Sequence, residues 1–287
     1  MLMNMNSLLA VANEHYFAIP AFNTPTGMIM RGVLEASEQA SAPVIIEVHP
    51  DELTFARPSF ITALVEEAHN ASVPVCIHMD HASKLEQILL ALRCGYTSVM
   101  IDASSRPFAE NVAITKEVCR LAHAVNVSVE AELGTIGTTS QTQAETTSTE
   151  IRYTRPEEAA SFVAQTGVDT LAVAIGTCHG IYPKEMVPTL QIERLRQIKK
   201  LVPIPLVLHG GSSNKDSEIA EAARSGINKI NISSDIKDAF YQKCRQVLQN
   251  PYIREPGEIY PPCIEAMKEV VLHKFDLFGT TGKASLY

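Results

Sequence analysis

The stretch PVCIHMDHASKLEQILLALRCGYTSVMIDAS, residues 74–104, places one amphipathic segment between two apolar runs. The runs PVCIHMDH and SVMIDAS are short and apolar, which is typical of buried strands. Between them, EQILLALRCG carries apolar residues at three- and four-residue spacing and ends in glycine, as helices commonly do. A strand, a helix and a second strand in this order predict a parallel β-α-β unit.

The same unit recurs along the whole chain. Near-continuous apolar strands separated by helical patterns indicate a parallel sheet covered by helices. Eight units in 287 residues favour a single (β/α)₈ barrel, a TIM barrel, with residues 1–287 as one domain. An open doubly wound sheet is the alternative, but no GxGxxG follows the first strand and no Walker motif is present. The eight predicted strands are FAIPAFN (17–23), PVIIEVH (43–49), PVCIHMDH (74–81), SVMIDAS (98–104), SVEAELG (128–134), TLAVAIG (170–176), PLVLHGG (205–211) and KINISS (229–234).

Two segments extend this pattern. Residues 135–154 after the fifth strand, TIGTTSQTQAETTSTEIRYT, are polar and have no apolar period. Such a segment is either a disordered insertion or a mobile lid, and its place at the carboxyl end of a barrel strand favours the lid. The terminal EAMKEVVLHKFDLFG, residues 265–279, predicts an amphipathic helical extension.

Composition excludes several classes of protein. A net charge of −8 without a lysine-arginine cluster argues against nucleic-acid or anionic-membrane partners. No apolar run approaches the roughly 20 residues of a membrane span, and the start of the chain lacks the features of a signal peptide. The 6 scattered cysteines indicate free thiols. We therefore expect a soluble cytoplasmic protein.

Three histidines fall at or just past predicted strand ends. His81, His179 and His209 follow the third, sixth and seventh strands, where TIM barrels carry their catalytic groups. Three converging imidazoles with room for another ligand describe an open zinc site, although any single one of them could be a hydrogen-bonded loop residue. His78 shares the strand parity of Asp80, so spacing alone leaves it a rival to His81 as a ligand.

Glycine and serine residues follow the last two strands. In HGGSS, Gly210 and Gly211 permit close backbone approach and Ser212 adds a hydroxyl, while NISS supplies Ser233 and Ser234. TIM barrels commonly bind a phosphate with backbone N–H groups at these two positions. The pair of motifs predicts a phosphate pocket.

A metal beside a phosphate pocket suggests chemistry on a phosphorylated carbonyl compound. The ion would polarise a ketone and stabilise the enediolate, while Asp80 moves a proton at the aldehyde-derived oxygen. No lysine stands at an obvious strand end, and Lys229 begins the eighth strand, so a Schiff base is not indicated. The interpretation is a metal-assisted aldol cleavage.

The chain resembles the class II, metal-dependent ketose-bisphosphate aldolases, which include the fructose- and tagatose-bisphosphate enzymes. The resemblance covers nearly the whole length, and the tagatose-type branch is most similar. It implies Zn²⁺ as cofactor, a sugar phosphate as substrate and a homodimer or homotetramer, with a monovalent cation as a further candidate. The motifs that carry it are AFN, PVCIHMDH, SVMIDAS, VEAELG, TGVDTLAVAIGTCHG, PLVLHGGSS, KINISS and LFGTTGKA.

The resemblance also implies roles for individual residues. Asp80 would be the proton donor, with His81, His179 and His209 as zinc ligands. Asp102 and Glu132 would lie near the metal, as alternative metal contacts or as partners of the ligands. The resemblance favours His81 over His78. The residues expected to bind substrate, mainly its dihydroxyacetone phosphate part, are Asn23, Gly180, Gly210, Gly211, Ser212, Asn231, Ile232, Ser233 and Ser234.

Some positions depart from the family pattern. The acidic segment that often follows ELG is absent, and Glu145 or Glu150 is the candidate replacement. The second strand ends with Glu47, His49 and Asp51, where relatives carry less charge. These differences leave the acceptor aldehyde and its stereochemistry open.

The leading hypothesis is a zinc-dependent lyase that reversibly cleaves a ketose 1-phosphate or ketose 1,6-bisphosphate to dihydroxyacetone phosphate and an aldehyde. A hydrolase using the same three histidines is an alternative, since a metal-bound water could attack an ester or amide. A non-catalytic accessory subunit of an aldolase is a third hypothesis.

Overall fold

Eight parallel strands form a closed barrel in the computed structural model, which describes residues 1–138, 151–179, 189–212 and 214–287. Around the barrel the strands follow the order β1-β10-β9-β7-β5-β4-β3-β2, and β6 and β8 make a separate two-stranded parallel pair. The predicted (β/α)₈ fold is confirmed. The strands are β1 (Ile19–Asn23), β2 (Val44–Val48), β3 (Val75–Ala82), β4 (Ser98–Ile101), β5 (Ser128–Leu133), β6 (Gly137–Thr138), β7 (Thr170–Val173), β8 (Cys178–His179), β9 (Leu206–Leu208) and β10 (Ile227–Ile232).

Helices connect the barrel strands and surround them. Among the described helices, α5, α7 and α11 end at a glycine in the left-handed conformation, at Gly95, Gly167 and Gly279. The glycines that end EQILLALRCG and EAMKEVVLHKFDLFG predict the first and the last of these. The helices are α1 (Met5–Glu14), α2 (Gly27–Gln39), α3 (Pro50–Ala56), α4 (Pro58–Asn70), α5 (Leu85–Cys94), α6 (Phe108–His123), α7 (Pro156–Thr166), α8 (Ile192–Leu201), α9 (Asp216–Arg224), α10 (Ser234–Val247) and α11 (Pro256–Phe278), and a 3₁₀ turn follows at Lys283–Leu286.

The apolar core has two parts. The larger part lies between the strands and the surrounding helices. The smaller part closes the amino-terminal end of the barrel, where Leu8 and Leu9 of α1 pack with Ile19, Ile45 and Cys76. The helix α1 precedes the first predicted strand and lies outside the eight predicted strand–helix units. Its first turn is capped by Asn4, whose side chain accepts the Ser7 N–H at 2.9 Å.

The segment after the fifth strand is described only at its two ends. Thr135 pairs with Arg152 in an antiparallel bridge, and Gly137–Thr138 pairs with Cys178–His179. The predicted lid, together with its candidate acidic residues Glu145 and Glu150, otherwise lies outside the described residues. The carboxyl-terminal helical extension is present as α11, which begins nine residues before the predicted start and packs against α10 and α2. Assignment of the whole chain to one domain stays a prediction.

Candidate active site

The end of β3 places two adjacent side chains at the carboxyl-terminal mouth of the barrel. Along a regular strand Asp80 and His81 would point to opposite faces. The pairing with β4 shifts register between Met79 and Ala82, and His81 has a left-handed backbone φ of 45°. A bulge of this kind re-aims a side chain. The His81 ring therefore lies 4.6 Å from the His209 ring, centroid to centroid.

His78, the rival candidate, lies deeper in the barrel. Its Nδ1 is 2.8 Å from the Ser98 hydroxyl, and its Nε2 is 3.8 Å from a Glu130 oxygen. Burial, together with the Lys229 ammonium, lowers the pKa of His78 to about 3. His78 is therefore a buried neutral imidazole beneath the site, and His81 is the histidine of this strand at the mouth.

Asp80 is held by two amides from other strands. Asn23 at the end of β1 donates to Oδ2 at 3.0 Å, and Asn231 on β10 donates to Oδ1 at 3.2 Å. Burial alone would raise the pKa of Asp80, but the positive charges of His81 and Lys229 overcome it and hold the pKa below its ordinary range. The carboxylate is ionised and fixed in orientation, so it can accept a proton during bond cleavage and return it in the reverse direction.

His209 lies between two carboxylates of β5. Its Nδ1 is 2.9 Å from Glu132 Oε2, and its Nε2 is 2.9 Å from Glu130 Oε1. Burial would lower the pKa of His209, but these hydrogen bonds raise it to about 9. Asp102 contacts the other imidazole at the mouth, with Oδ2 3.1 Å from His81 Nδ1.

The donor atoms at the mouth fit a divalent transition metal. Asp80, His81 and His209 each offer a ligand atom within 4.8 Å of the others, and so do His81, Asp102 and Glu132. Since Asp102 meets Nδ1 of His81, Nε2 of that ring faces the site, 3.7 Å from Asp80 Oδ1. Imidazole and carboxylate donors suit zinc and similar ions.

Two of the three predicted histidine ligands thus come together. The backbone of the third, His179, lies in β8 and pairs with Thr138 of β6, which belongs to the segment that follows β5. The side chain of His179 is outside the described part of the structure. The ligand roles of all three histidines stay predictions.

The predicted phosphate pocket combines two turns and a helix start. Gly210 has a φ of 67°, and a Cβ there would clash with the Cys178 carbonyl oxygen, so the turn after β9 requires glycine. Gly211 donates its N–H to the Asn231 carbonyl at 3.1 Å, which joins this turn to β10. Ser233 precedes α10, so backbone N–H groups of that helix start are directed to the same end of the barrel.

The structure shows what the other residues predicted to bind substrate contact within the protein. Asn23 and Asn231 use their amide groups on Asp80. Ile232 is buried in the apolar core, so only its main chain is available to a ligand. Ser212 is buried at the same end, and Gly180 lies outside the described residues. The substrate contacts stay predictions.

Sequence reasoning missed a buried ionic cluster inside the barrel. Lys229 places its Nζ 2.7 Å from Glu47 Oε1 and 2.9 Å from Glu130 Oε2, and all three side chains are fully buried. Lys229 therefore points into the barrel from within β10. Burial and the nearby Asp80 raise the pKa of Glu47 to about 8 despite the ammonium. Strand parity could have predicted this cluster, because residues two apart on a strand point to the same face. Glu130 therefore shares the inward face of Glu132, and Lys229 shares that of Asn231.

The unusual charges at the end of β2 and just after it have structural roles. Glu47 belongs to the buried cluster, and His49 caps α3 by accepting the Asp51 N–H at Nδ1, at 3.1 Å. Glu52 of the same helix forms a 2.6 Å ion pair with Lys237 of α10. The chain's 6 cysteines are all free, as predicted.

Comparisons with known proteins agree with the barrel fold and identify a family. A family model described as fructose-bisphosphate aldolase class-II matches residues 3–283. The fructose-bisphosphate aldolase of Thermus caldophilus is 38% identical over 99% of this chain and 100% of its own. The 6-phospho-5-dehydro-2-deoxy-D-gluconate aldolase of Bacillus licheniformis is 38% identical over 98% of this chain and 96% of its own.

Solved structures show the same likeness. The YdjI aldolase from Escherichia coli K12 superposes with a TM-score of 0.88 at 35% identity, covering 99% of this chain and 100% of the other. A putative fructose-1,6-bisphosphate aldolase from Coccidioides immitis gives a TM-score of 0.90 at 29% identity, covering 99% of both chains.

A TIM barrel with imidazoles and carboxylates gathered at its carboxyl-terminal mouth is the arrangement of a metal-dependent barrel enzyme. Within that class, the chain belongs to the class-II fructose-bisphosphate aldolase family. It is a lyase for reversible aldol cleavage, in a family that depends on a metal. This finding favours the lyase hypothesis over the hydrolase.

Proposed function

We propose that this chain is a zinc-dependent aldolase that cleaves a ketose 1-phosphate or ketose 1,6-bisphosphate to dihydroxyacetone phosphate and an aldehyde. The observation that supports it most is the convergence of Asp80, His81 and His209, whose ligand atoms lie within 4.8 Å of one another at the barrel mouth. His81 and His209 would hold the ion, with His179 as the predicted third ligand. Bound there, the metal supplies a Lewis acid for the ketone oxygen of the substrate.

The protein's own groups supply the remaining functions. Asp80, aligned by Asn23 and Asn231, accepts the proton of the hydroxyl that becomes the aldehyde and donates it again during condensation. The glycine turn after β9 and the start of α10 hold the phosphate with backbone N–H groups. With the phosphate fixed, the bond to be cleaved is oriented towards Asp80.

The test is an assay of the purified protein on ketose phosphates, before and after removal of metal by a chelator. Because two relatives are named for different substrates, the panel includes fructose 1,6-bisphosphate, tagatose 1,6-bisphosphate and 6-phospho-5-dehydro-2-deoxy-D-gluconate. We expect dihydroxyacetone phosphate as a product, loss of activity without metal and its recovery with Zn²⁺. Full activity without metal would contradict the proposal. Turnover of no ketose phosphate by the zinc-loaded protein would instead favour the accessory subunit.

The remaining expectations are also proposals. We propose a homodimer or homotetramer in the cytoplasm, acting on a small sugar phosphate without nucleic-acid or membrane partners, with a monovalent cation as a candidate near the phosphate. Within the described residues, no helix is long and apolar enough to cross a membrane. Light scattering of the purified protein tests the oligomer, and activity with K⁺ replaced by a bulky organic cation tests the monovalent ion.

A further inference from the structure

Glu130 joins the candidate metal site to the buried ionic cluster. Its Oε1 lies 2.9 Å from His209 Nε2 and 3.0 Å from Lys229 Nζ, and its Oε2 lies 2.9 Å from the same ammonium. The second carboxylate on Lys229 is that of Glu47, at 2.7 Å. Glu130 is therefore the member of this cluster that contacts both Lys229 and an imidazole at the mouth.

The two nitrogens of His209 face different surroundings. Nδ1 faces Glu132, which belongs with His81 and Asp102 to one of the candidate metal-binding groups. Nε2 faces Glu130, two residues earlier on β5 and deeper in the barrel. A metal-bound imidazole is neutral and carries its one N–H on the nitrogen that does not bind the ion. The nitrogen nearer the metal-binding group is Nδ1, which leaves the N–H on Nε2.

Lys229 keeps Glu130 able to accept this N–H. A buried carboxylate without a counter-charge is strongly unfavourable and would take up a proton. The ammonium of Lys229 lies between Glu130 and Glu47, both fully buried, so it balances carboxylate charge in the interior of the barrel. Only Glu130 of these two carboxylates is in contact with His209.

We propose that Glu130 is a positioning residue for the metal ligand His209: it accepts the Nε2–H and thereby presents Nδ1 to the ion. This inference rests on the proposed function, because it assumes that His209 binds the metal. Lys229 acts through Glu130 by balancing its charge, and Glu47 shares that ammonium without touching the ligand. A carboxylate behind a ligating histidine raises the affinity of the site for its metal.

Glu130→Gln and Glu47→Gln make a matched pair of variants. Each replaces one buried carboxylate on Lys229 by an amide of the same shape and leaves the other ion pair in place. Zinc dissociation constants are measured by competition with a coloured chelator, independently of aldol activity. We expect Glu130→Gln to bind zinc about 10–100-fold more weakly than the wild-type protein and Glu47→Gln to stay within about threefold of it.

Equal zinc affinity in Glu130→Gln and the wild-type protein would overturn the proposal. Equal weakening in both variants would overturn it too, because the effect would then come from the charge or stability of the cluster. Circular dichroism and thermal unfolding establish that each variant folds.

A measurement on the wild-type protein does not depend on folding of the variants. In zinc-loaded protein labelled with ¹⁵N-histidine, the His209 ring is assigned through the signals lost in His209→Gln. The proposal predicts a protonated Nε2 and a metal-bound Nδ1, and the reverse pattern would contradict it. Zinc binding with this pattern but no aldol cleavage would refute the proposed function alone, whereas absence of zinc binding would refute both.

Discussion

Asp80 illustrates how a single side chain at the site depends on distant parts of the chain. Its two oxygens accept hydrogen bonds from Asn23 and Asn231, which come from the first and last barrel strands. Its ionised state depends on neighbouring positive charges that outweigh the effect of burial on its pKa. The chemistry assigned to this residue therefore depends on His81 of its own strand and on Asn23, Asn231 and Lys229, which other strands provide.

We expect Asp80→Asn to lower kcat for ketose phosphate cleavage by about 10²- to 10⁴-fold, because an amide cannot take up the hydroxyl proton. Zinc content should stay the same, since Asp80 is the predicted proton donor and the three predicted zinc ligands, His81, His179 and His209, are retained. Steady-state kinetics and metal analysis check both parts. Asp216→Asn, at an exposed carboxylate paired with His273, is the control and should keep wild-type kcat. A kcat for Asp80→Asn within threefold of wild type would refute the role.

His78 leads to a prediction about acid stability of the metal-free protein. Its pKa is lowered from 6.5 to about 3 on folding, so the unfolded chain binds one more proton between these values. The free energy of unfolding therefore falls as pH decreases from about 6.5 towards 3, by up to about 1.4 kcal/mol per pH unit from this residue. Above about 6.5 this contribution no longer changes with pH.

Urea unfolding of the metal-free protein at several pH values measures this slope. In His78→Gln we expect a shallower loss of stability between pH 6.5 and 4, while His15→Gln, at an exposed histidine, should follow the wild-type protein. Identical slopes in all three proteins would show that His78 does not contribute.

At the scale of elements, α10 connects the phosphate turn to the region after β2. Lys237, one turn into α10, donates to the Ser233 hydroxyl at 2.9 Å and to Glu52 of α3 at 2.6 Å. The helix start that is proposed to hold the phosphate is thereby tied to α3. The link holds two loops of the mouth in one arrangement, although the strands they follow are far apart in sequence.

For Lys237→Met we expect KM for dihydroxyacetone phosphate in the condensation direction to rise about tenfold, because Ser233 loses a charge-assisted hydrogen bond. The value of kcat should change by less than about threefold, since Lys237 does not contact Asp80. Lys268→Met serves as the control, because Lys268 pairs with Glu35 and Glu265 away from the mouth. A fall in kcat at constant KM would contradict the assignment to phosphate binding.

At the scale of the whole molecule, one end of the barrel carries the candidate active site and the other end contributes to stability. Candidate catalytic groups occupy the carboxyl-terminal mouth, while α1 covers the amino-terminal end with an apolar cluster. TIM barrels separate function from stability in this way. Substitutions in α1 should therefore alter stability with little effect on the site.

Leu8→Ala should lower the free energy of unfolding by about 2–5 kcal/mol, because Leu8 is fully buried in this cluster. Leu89→Ala, at a 42% exposed position on α5, should cost less than about 1 kcal/mol. Denaturant unfolding gives both values. Below the unfolding transition, KM of Leu8→Ala should match the wild-type value, and a changed KM would show that the two ends are coupled.

The sequence by itself determined the barrel and its functional end. Strand and helix periodicities are local properties of the sequence, and all eight predicted strands are confirmed. Some strand ends differ from the prediction; β7, for example, ends before Ala174. Parallel closure brings the strand ends together, which is why His81 and His209 could be predicted as neighbours.

Tertiary structure alone decided which side chains meet. The bulge that turns His81 inwards, and the contact of Glu47 and Glu130 with Lys229, depend on register between strands distant in the chain. The two-residue period of a strand indicates whether a side chain points into the barrel. How deep that side chain lies in the barrel depends on the stagger between neighbouring strands. Because burial strengthens the interaction between neighbouring charges, the ionic network beneath the site follows from that stagger.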